Sequence, residues 1–325
     1  MKKYYLTPEF SQRIQGMQQM IAAAGIKISF ETLEDLKMLR QMEEASAGEP
    51  MQMEGVSFYD RFIPGPIGDM KVRIYKPDQP ASERPAFLLY HGGGTVIGGL
   101  NTEHARALHL SKGCGAVGIS VDYHLAPEYP APAGQEDCYA ALKWVNDHAD
   151  ELNINSKYIG ITGGSGGGML TLSVAQMARD RKEVTPFIQI PLYPNTDDRE
   201  QDKFQSRIHG EDTYIINRGN ITHVMKHILG DKLNNPPKYV IPNRMEDLSG
   251  LCRSCFVLSQ NDPMIDEQMD YIQKLLRAEV VTEVHLMPGI THAFDGVGWD
   301  TEITTDILDI ICKAFTRAIK ESESV

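Results

Sequence analysis

Gly163-Gly164-Ser165-Gly166-Gly167-Gly168 is the stretch on which the reading of this chain turns. It follows Lys157-Tyr158-Ile159-Gly160-Ile161-Thr162, short and β-branched, and precedes Met169-Leu170-Thr171-Leu172-Ser173-Val174-Ala175, the start of an apolar run of helix length. The pattern is strand, glycine hinge, helix, with a serine at the apex. A side chain presented at such a reversal needs glycine two residues before it and two after, because a Cβ there would collide as the chain turns back. Gly163 and Gly167 fill those places, which fits the G-x-S-x-G nucleophile elbow. Two other glycine motifs fail on single positions. A dinucleotide fingerprint beginning at Gly164 needs Gly or Ala where Met169 stands, and a phosphate loop beginning at Gly163 needs Lys followed by Ser or Thr where Met169 and Leu170 stand. By itself the pentapeptide is equally compatible with a glycine-rich turn that carries an incidental serine.

Upstream, Tyr90-His91-Gly92-Gly93-Gly94 directly follows the first strand expected to be parallel. Consecutive glycines let backbone N–H groups approach a ligand with no side chain in the way. Ahead of an elbow, such a loop supplies oxyanion donors, joined by the N–H of the residue after the nucleophile, here Gly166. Downstream, an acid and then a histidine are required, each after a later strand. Asp262 follows the apolar run Phe256-Val257-Leu258-Ser259, and His292 follows Val284-His285-Leu286-Met287 and a Pro-Gly turn. Asp266 competes as the acid, although its place just before Glu267 suits a helix cap. Four elements in the required order, each at a strand's carboxyl end, select Ser165, Asp262 and His292 as a triad.

Composition narrows the function classes. A net charge of −12 argues against nucleic acid or an anionic membrane as partner. A hydrophobic content of 42% suits a water-soluble globular chain, no apolar run approaches the roughly 20 residues of a membrane span, and the N-terminus lacks an apolar signal core. Five scattered cysteines fit a reducing compartment better than a disulfide framework, so the expected address is cytoplasmic. Cys252-Arg253-Ser254-Cys255 stands without a second pair, and His223 and His227 lack a third ligand, so no metal and no cofactor is expected.

Residues 7–45 read as two helices, the first capped by Thr7 with Phe10, Ile14, Met17 and Ile21 at helical spacing, the second over about 31–44. Methionines cluster here and just beyond, at 17, 20, 38, 42, 51 and 53, as helix packing or as an adaptable pocket lining. Residues 56–59 and 70–75 flank turn residues and predict antiparallel strands at a sheet edge. From residue 86 strands (86–90, 116–121, 158–162, 187–192, 255–259, 283–286) alternate with helices (135–148, 167–179, 267–277, 302–320), which predicts an α/β fold with a mainly parallel sheet covered on both faces. A polar, helix-leaning insertion interrupts the alternation over about 196–247.

With those residues in hand, the chain resembles the hormone-sensitive-lipase-like carboxylesterases (family IV of the bacterial lipolytic enzymes) within the α/β-hydrolase superfamily. The resemblance is carried by His91-Gly92-Gly93-Gly94, Asp122-Tyr123-His124-Leu125-Ala126-Pro127-Glu128, the six-residue elbow, Asn261-Asp262-Pro263-Met264-Ile265-Asp266-Glu267 and His292-Ala293-Phe294. It implies the α/β-hydrolase fold, Ser165 as nucleophile, His292 as general base and then acid, Asp262 as its orienting partner, and oxyanion donors on Gly92, Gly93 and Gly166. It also implies a helical cap formed by residues 1–50 and the 196–247 insertion, over a catalytic body spanning 51–325. The expected partner is a small-molecule ester, with no nucleic acid and no membrane, and a homodimer is left open. One departure stands out: the family usually carries an acid before the serine and alanine after it, where this chain has Gly164 and Gly166. Two added glycines predict an elbow that bends more easily and lacks a carboxylate tether. Rival readings are an amidase or peptidase with the same triad, and a non-catalytic receptor on the same scaffold, which would commonly lack the histidine present here.

Overall fold

The alternation that begins at residue 86 closes into one eight-stranded sheet in the computed structural model, which describes residues 5–46, 48–199, 204–206 and 216–323. The strands are β1 Val56–Pro64, β2 Asp69–Pro77, β3 Arg84–Tyr90, β4 Val117–Asp122, β5 Ile154–Gly164, β6 Ile188–Leu192, β7 Arg253–Ser259 and β8 Thr282–Met287. Their order is β1-β2-β4-β3-β5-β6-β7-β8. The edge hairpin is antiparallel, with Pro64 opposite Asp69, and β2 runs antiparallel to β4. Every pairing from β4 through β8 is parallel, with the inner strands buried on both faces and β8 left as a partly exposed edge.

The longer helices are α1 Pro8–Ala23, α2 Leu33–Ser46, α3 His104–Cys114, α4 Ala133–Asp147, α5 Gly166–Arg181, α6 Arg218–Leu229, α7 Ile265–Arg277 and α8 Glu302–Glu323. The period of two along β3 sends Ala86, Leu88 and Tyr90 to one face with α4, α5 and α7, and Phe87 and Leu89 to the other with α3 and α8. Burial of such side chains contributes roughly 1.5–3 kcal/mol each, and it fixes the level at which each strand ends. The β3, β5, β7 and β8 ends therefore present their following loops on one side of the molecule.

Helix α3 lies where the sequence reading has none. Its apolar residues Ala107, Leu108 and Leu110 are interleaved with His104, Arg106 and Ser111, which are buried as well, so no polar face marks the period. The two N-terminal helices appear as expected. Thr7 Oγ1 accepts the Phe10 N–H at 3.3 Å, and Phe10 and Ile14 bury while Met17 and Ile21 are half-buried. Arg40 of α2 donates to Val96 O and Ala126 O and pairs with both oxygens of Glu128, and Glu43 Oε2 accepts the Gly98 N–H at 3.0 Å. Leu36 of α2 shares a third apolar cluster with Val224, Met225, Ile228 and Leu229 of α6 and with Val96 and Met169 beside the elbow. Thus an N-terminal helix and an insertion helix meet over the same end of the sheet. Residues 200–203 and 207–215 of the insertion lie outside the described residues. No helix among the described residues is long and apolar enough to cross a membrane.

Candidate active site

The elbow is built by contact as well as by conformation. Ser165 has φ 55° and ψ −118°, a backbone region that L residues rarely occupy and that turns the side chain out of the strand line. A Cβ on Gly167 would stand 1.9 Å from Tyr90 O, and one on Gly163 would stand 2.4 Å from the same oxygen. Only glycine at both places lets β5 and α5 close against the end of β3.

Around that serine the three separated residues converge. His292 Nε2 lies 2.8 Å from Ser165 Oγ, and His292 Nδ1 lies 2.8 Å from Asp262 Oδ2. A carboxylate only accepts, so the Nδ1 proton points to Asp262 and Nε2 is left to accept from the serine hydroxyl. Asp262 is held in turn by the Met264 N–H on Oδ1 at 2.8 Å and by Gln268 Nε2 on Oδ2 at 3.1 Å. Asp266 is elsewhere: its Oδ2 accepts the Ser206 N–H at 2.8 Å, so it ties α7 to the insertion instead of capping the helix. Asn195, just past β6, places Oδ1 3.5 Å from Ser165 Oγ.

The loop after β3 requires one correction. The Gly92 N–H donates to Glu103 Oε1 at 2.8 Å, so that donor is directed at the start of α3 and is not free for an oxyanion. Among the described residues the N–H groups of Gly93, Gly94 and Gly166 have no protein acceptor. A Cβ on Gly166 would stand 2.8 Å from Gly94 N, which brings the third glycine of the loop against the residue after the serine. His91 is buried and its Nδ1 donates to Gly92 O at 2.8 Å, while its ring stacks on Tyr123. Burial holds its pKa down at about 4, so it stays neutral and bonds as a fixed part of the loop.

The two added glycines are not slack. The space a side chain at 164 would take is filled by Tyr193 Oη, 2.6 Å from the Cβ position, and Arg106 Nη2, 2.9 Å from it. The space beside Gly166 is filled by the loop backbone. The expectation of a looser elbow therefore gives way to one packed by its neighbours.

The site opens into a cavity of about 420 Å³. Ser165, His292, Gly93 and Gly94 lie at its base, with Phe30, Ile97, Ile216, Val224, Trp299 and Leu308 among its apolar walls. No methionine of residues 17–53 lines it, so the methionine cluster is packing and surface; Met20 is 69% exposed. A family model described as alpha/beta hydrolase fold matches residues 87–296. The chain belongs to the α/β-hydrolase family. Within it, esterase LipI of Mycobacterium tuberculosis is 31% identical over 283 residues, 86% of either chain. The ethyl acetate hydrolase of Pseudomonas putida is 27% identical over 321 residues, 95% of this chain and 98% of that one. The solved structure of esterase LipW from Mycobacterium marinum superposes with a TM-score of 0.86 at 27% identity, covering 97% of this chain and 96% of that one. These relatives agree with the resemblance read from the motifs.

In this α/β-hydrolase the sequence reading missed several residues around the triad: Gln268 behind Asp262, Asn195 and Tyr193 after β6, and Glu103, Arg106 and Asp295 beside the glycine loop. Asp295 carried a signal in its position three residues after His292. Glu103 and Arg106 carry none, because the helix that begins after Glu103 and presents Arg106 is not legible in the sequence.

Proposed function

We propose that this chain is a carboxylesterase acting on small soluble esters of short acyl groups through a Ser165–His292–Asp262 triad. The observation that carries the proposal is the continuous relay from Asp262 through both ring nitrogens of His292 to a serine hydroxyl, 2.8 Å at each step, at the base of an apolar-walled cavity. The esterase names of the relatives support the bond type.

In the first half-reaction His292 Nε2 takes the Ser165 proton as Oγ attacks the ester carbonyl. Negative charge develops on the carbonyl oxygen, and the N–H groups of Gly93, Gly94 and Gly166 stabilise it; Gly94 takes the part first expected of Gly92. The imidazolium, held by Asp262, returns its proton to the alcohol, which leaves. Water then repeats the sequence on the acyl-enzyme and releases the acid. The N-terminal helices up to residue 50 and the insertion of 196–247 act as the cap of a body spanning 51–325, and Phe30, Ile216 and Val224 bring that cap to the cavity wall. A cytoplasmic setting is part of the proposal, in keeping with an odd number of scattered cysteines.

Labelling with a fluorophosphonate probe tests the core of this reading. The label should fall on the peptide containing Ser165 and vanish in Ser165→Ala. A label retained in that variant removes the assignment.

A further inference from the structure

Beside the triad lies a second buried charge system that the reaction above does not use. Glu103, Arg106, Tyr193 and Asp295 all border the Ser165 cavity, and Arg106 has almost no solvent exposure. Arg106 Nη1 donates to Glu103 Oε2, its Nε donates to Asp295 Oδ2 at 2.6 Å, and Nη2 donates to Tyr193 Oη at 2.7 Å and to the same Asp295 oxygen. Tyr193 in turn donates to Asp295 Oδ1. The other oxygen of Glu103 accepts the Gly92 N–H. Each partner belongs to a different piece of the site. Glu103 and Arg106 belong to α3 and its approach, and Asp295 lies three residues past His292. Tyr193 follows β6, and its ring meets the His292 ring edge-on at 4.9 Å. The system also occupies the space above Gly164, where the related family usually carries an acid.

We propose that Glu103 is a positioning residue for ester hydrolysis: by holding the Gly92 N–H it fixes the 91–94 loop so that the next two N–H groups face the reacting carbonyl, and Arg106, locked by Asp295 and Tyr193, holds Glu103 in that pose. The proposal rests on the triad reading above and deepens it. A carboxylate is suited to the task because a charged acceptor makes a shorter, stronger bond to a backbone N–H than a neutral one. Burying it requires a cation and further donors, which Arg106 supplies. The two carboxylates, Glu103 and Asp295, thus come from outside the elbow, and Gly164 leaves room for Arg106 and Tyr193, which bind them. The oxyanion forms only on the way to the tetrahedral intermediate, so a displaced loop lowers kcat and leaves substrate binding nearly untouched.

Two conservative variants separate holding the loop from balancing the charge. Glu103→Gln keeps the reach and a carbonyl oxygen for Gly92 but gives up the charge; Glu103→Asp keeps the charge beside Arg106 but, one methylene shorter, withdraws from Gly92. With folding checked by circular dichroism, kcat should fall only a few-fold in Glu103→Gln, whose carbonyl oxygen still accepts from Gly92 although its amide NH2 now faces the Arg106 Nη1 donor. The loss should be roughly 10- to 100-fold in Glu103→Asp, the scale of a misplaced catalytic donor, with KM within about threefold in both. Affinity for a trifluoromethyl ketone, which forms the oxyanion adduct with the serine, should fall in step with kcat/KM. Glu103→Ala should match or exceed the loss in Glu103→Asp; if it does not fold, the other pair still decides. Glu103→Asp as active as Glu103→Gln, or losses confined to KM, overturns the proposal. Ser165→Ala is run alongside: activity surviving there overturns the triad reading instead, whatever Glu103 does.

Discussion

The base of the Ser165 cavity is made of backbone, and its walls are made of side chains. At the base, Gly93, Gly94, Gly166 and the strained Ser165 set positions through main-chain atoms, packed so closely that a Cβ on Gly167 would overlap Tyr90 O. Over it, Phe30, Ile216 and Val224 come from segments distant in sequence and meet the base by side-chain contact. A Cβ on Gly94 would stand 2.7 Å from Val224 Cγ1. Chemistry that needs tenths of an ångström is placed on main chain that cannot rotate away, while the choice of substrate is left to side chains that can change without moving it. The comparison predicts large, all-or-none effects at the base and graded ones at the walls.

The largest effect belongs to Ser165, the proposed nucleophile. Ser165→Ala should fold as wild type, since the hydroxyl contributes little to packing, and ester hydrolysis should drop by roughly 10⁴ or more. Activity within tenfold of wild type would place the chemistry elsewhere in the cavity. Next comes the acid. Asp262→Asn keeps the shape but presents a donor to His292 Nδ1, which favours the wrong tautomer and costs roughly 10⁴ in kcat by analogy with other triads. Asp266→Asn keeps an oxygen that can accept the Ser206 N–H and makes no bond to His292, so it should cost less than about tenfold. Reversal of those two magnitudes would exchange the roles of the carboxylates.

The same division governs what the sequence makes legible. The base is written locally: glycines at 163 and 167, strand before and helix after, and acid and histidine each past a strand. These follow from steric rules that act over a few residues, and the structure brings the three side chains together. The walls are written non-locally. Phe30 and Val224 meet because α2 and α6 share an apolar cluster, and nothing within either segment names the other. Helix α3 stayed hidden for a related reason: His104 and Arg106 look like a solvated face until tertiary partners bury them. The acceptor that turns the Gly92 N–H away from the cavity, Glu103, stands at the N-terminal cap of that helix, so nothing in the glycine loop itself points to it.

Glu103 gives an intermediate effect that can be read without activity. Burial pushes its carboxyl from the ordinary 4.5 up to about 7; the Arg106 charge opposes the rise and Asp295 adds to it. A carboxyl raised in this way binds its proton more tightly in the folded chain than in the unfolded one. Its contribution to stability is full below about pH 4.5 and is lost as pH climbs through 7. Relative to Glu103→Gln, the wild type should therefore lose a few degrees of Tm between pH 5 and pH 8. A Tm difference between the two proteins that stays constant over that range would mean Glu103 does not titrate there.

The smallest and most graded effect concerns acyl length, where the walls act. Each CH₂ buried against apolar side chains contributes about 0.8 kcal/mol, close to fourfold in kcat/KM when the gain is realised in the transition state. Activity should climb in that ratio only while the walls still have surface to cover. The cavity holds about 420 Å³, shared between the acyl and alcohol parts of an ester, so the climb ends early. Beyond that length a chain must clash with Phe30 or Val224 or project into water. Measured on p-nitrophenyl acetate, butyrate, octanoate and palmitate, kcat/KM should peak between acetyl and hexanoyl lengths and collapse at palmitate. Phe30→Ala removes part of a wall without touching the base, so the peak should move a carbon or two longer and the best kcat/KM should change only a few-fold. A wild-type optimum at palmitate with activation at an emulsion interface would make this chain a lipase, and the walls a lid over exposed apolar surface instead of a closed-off pocket.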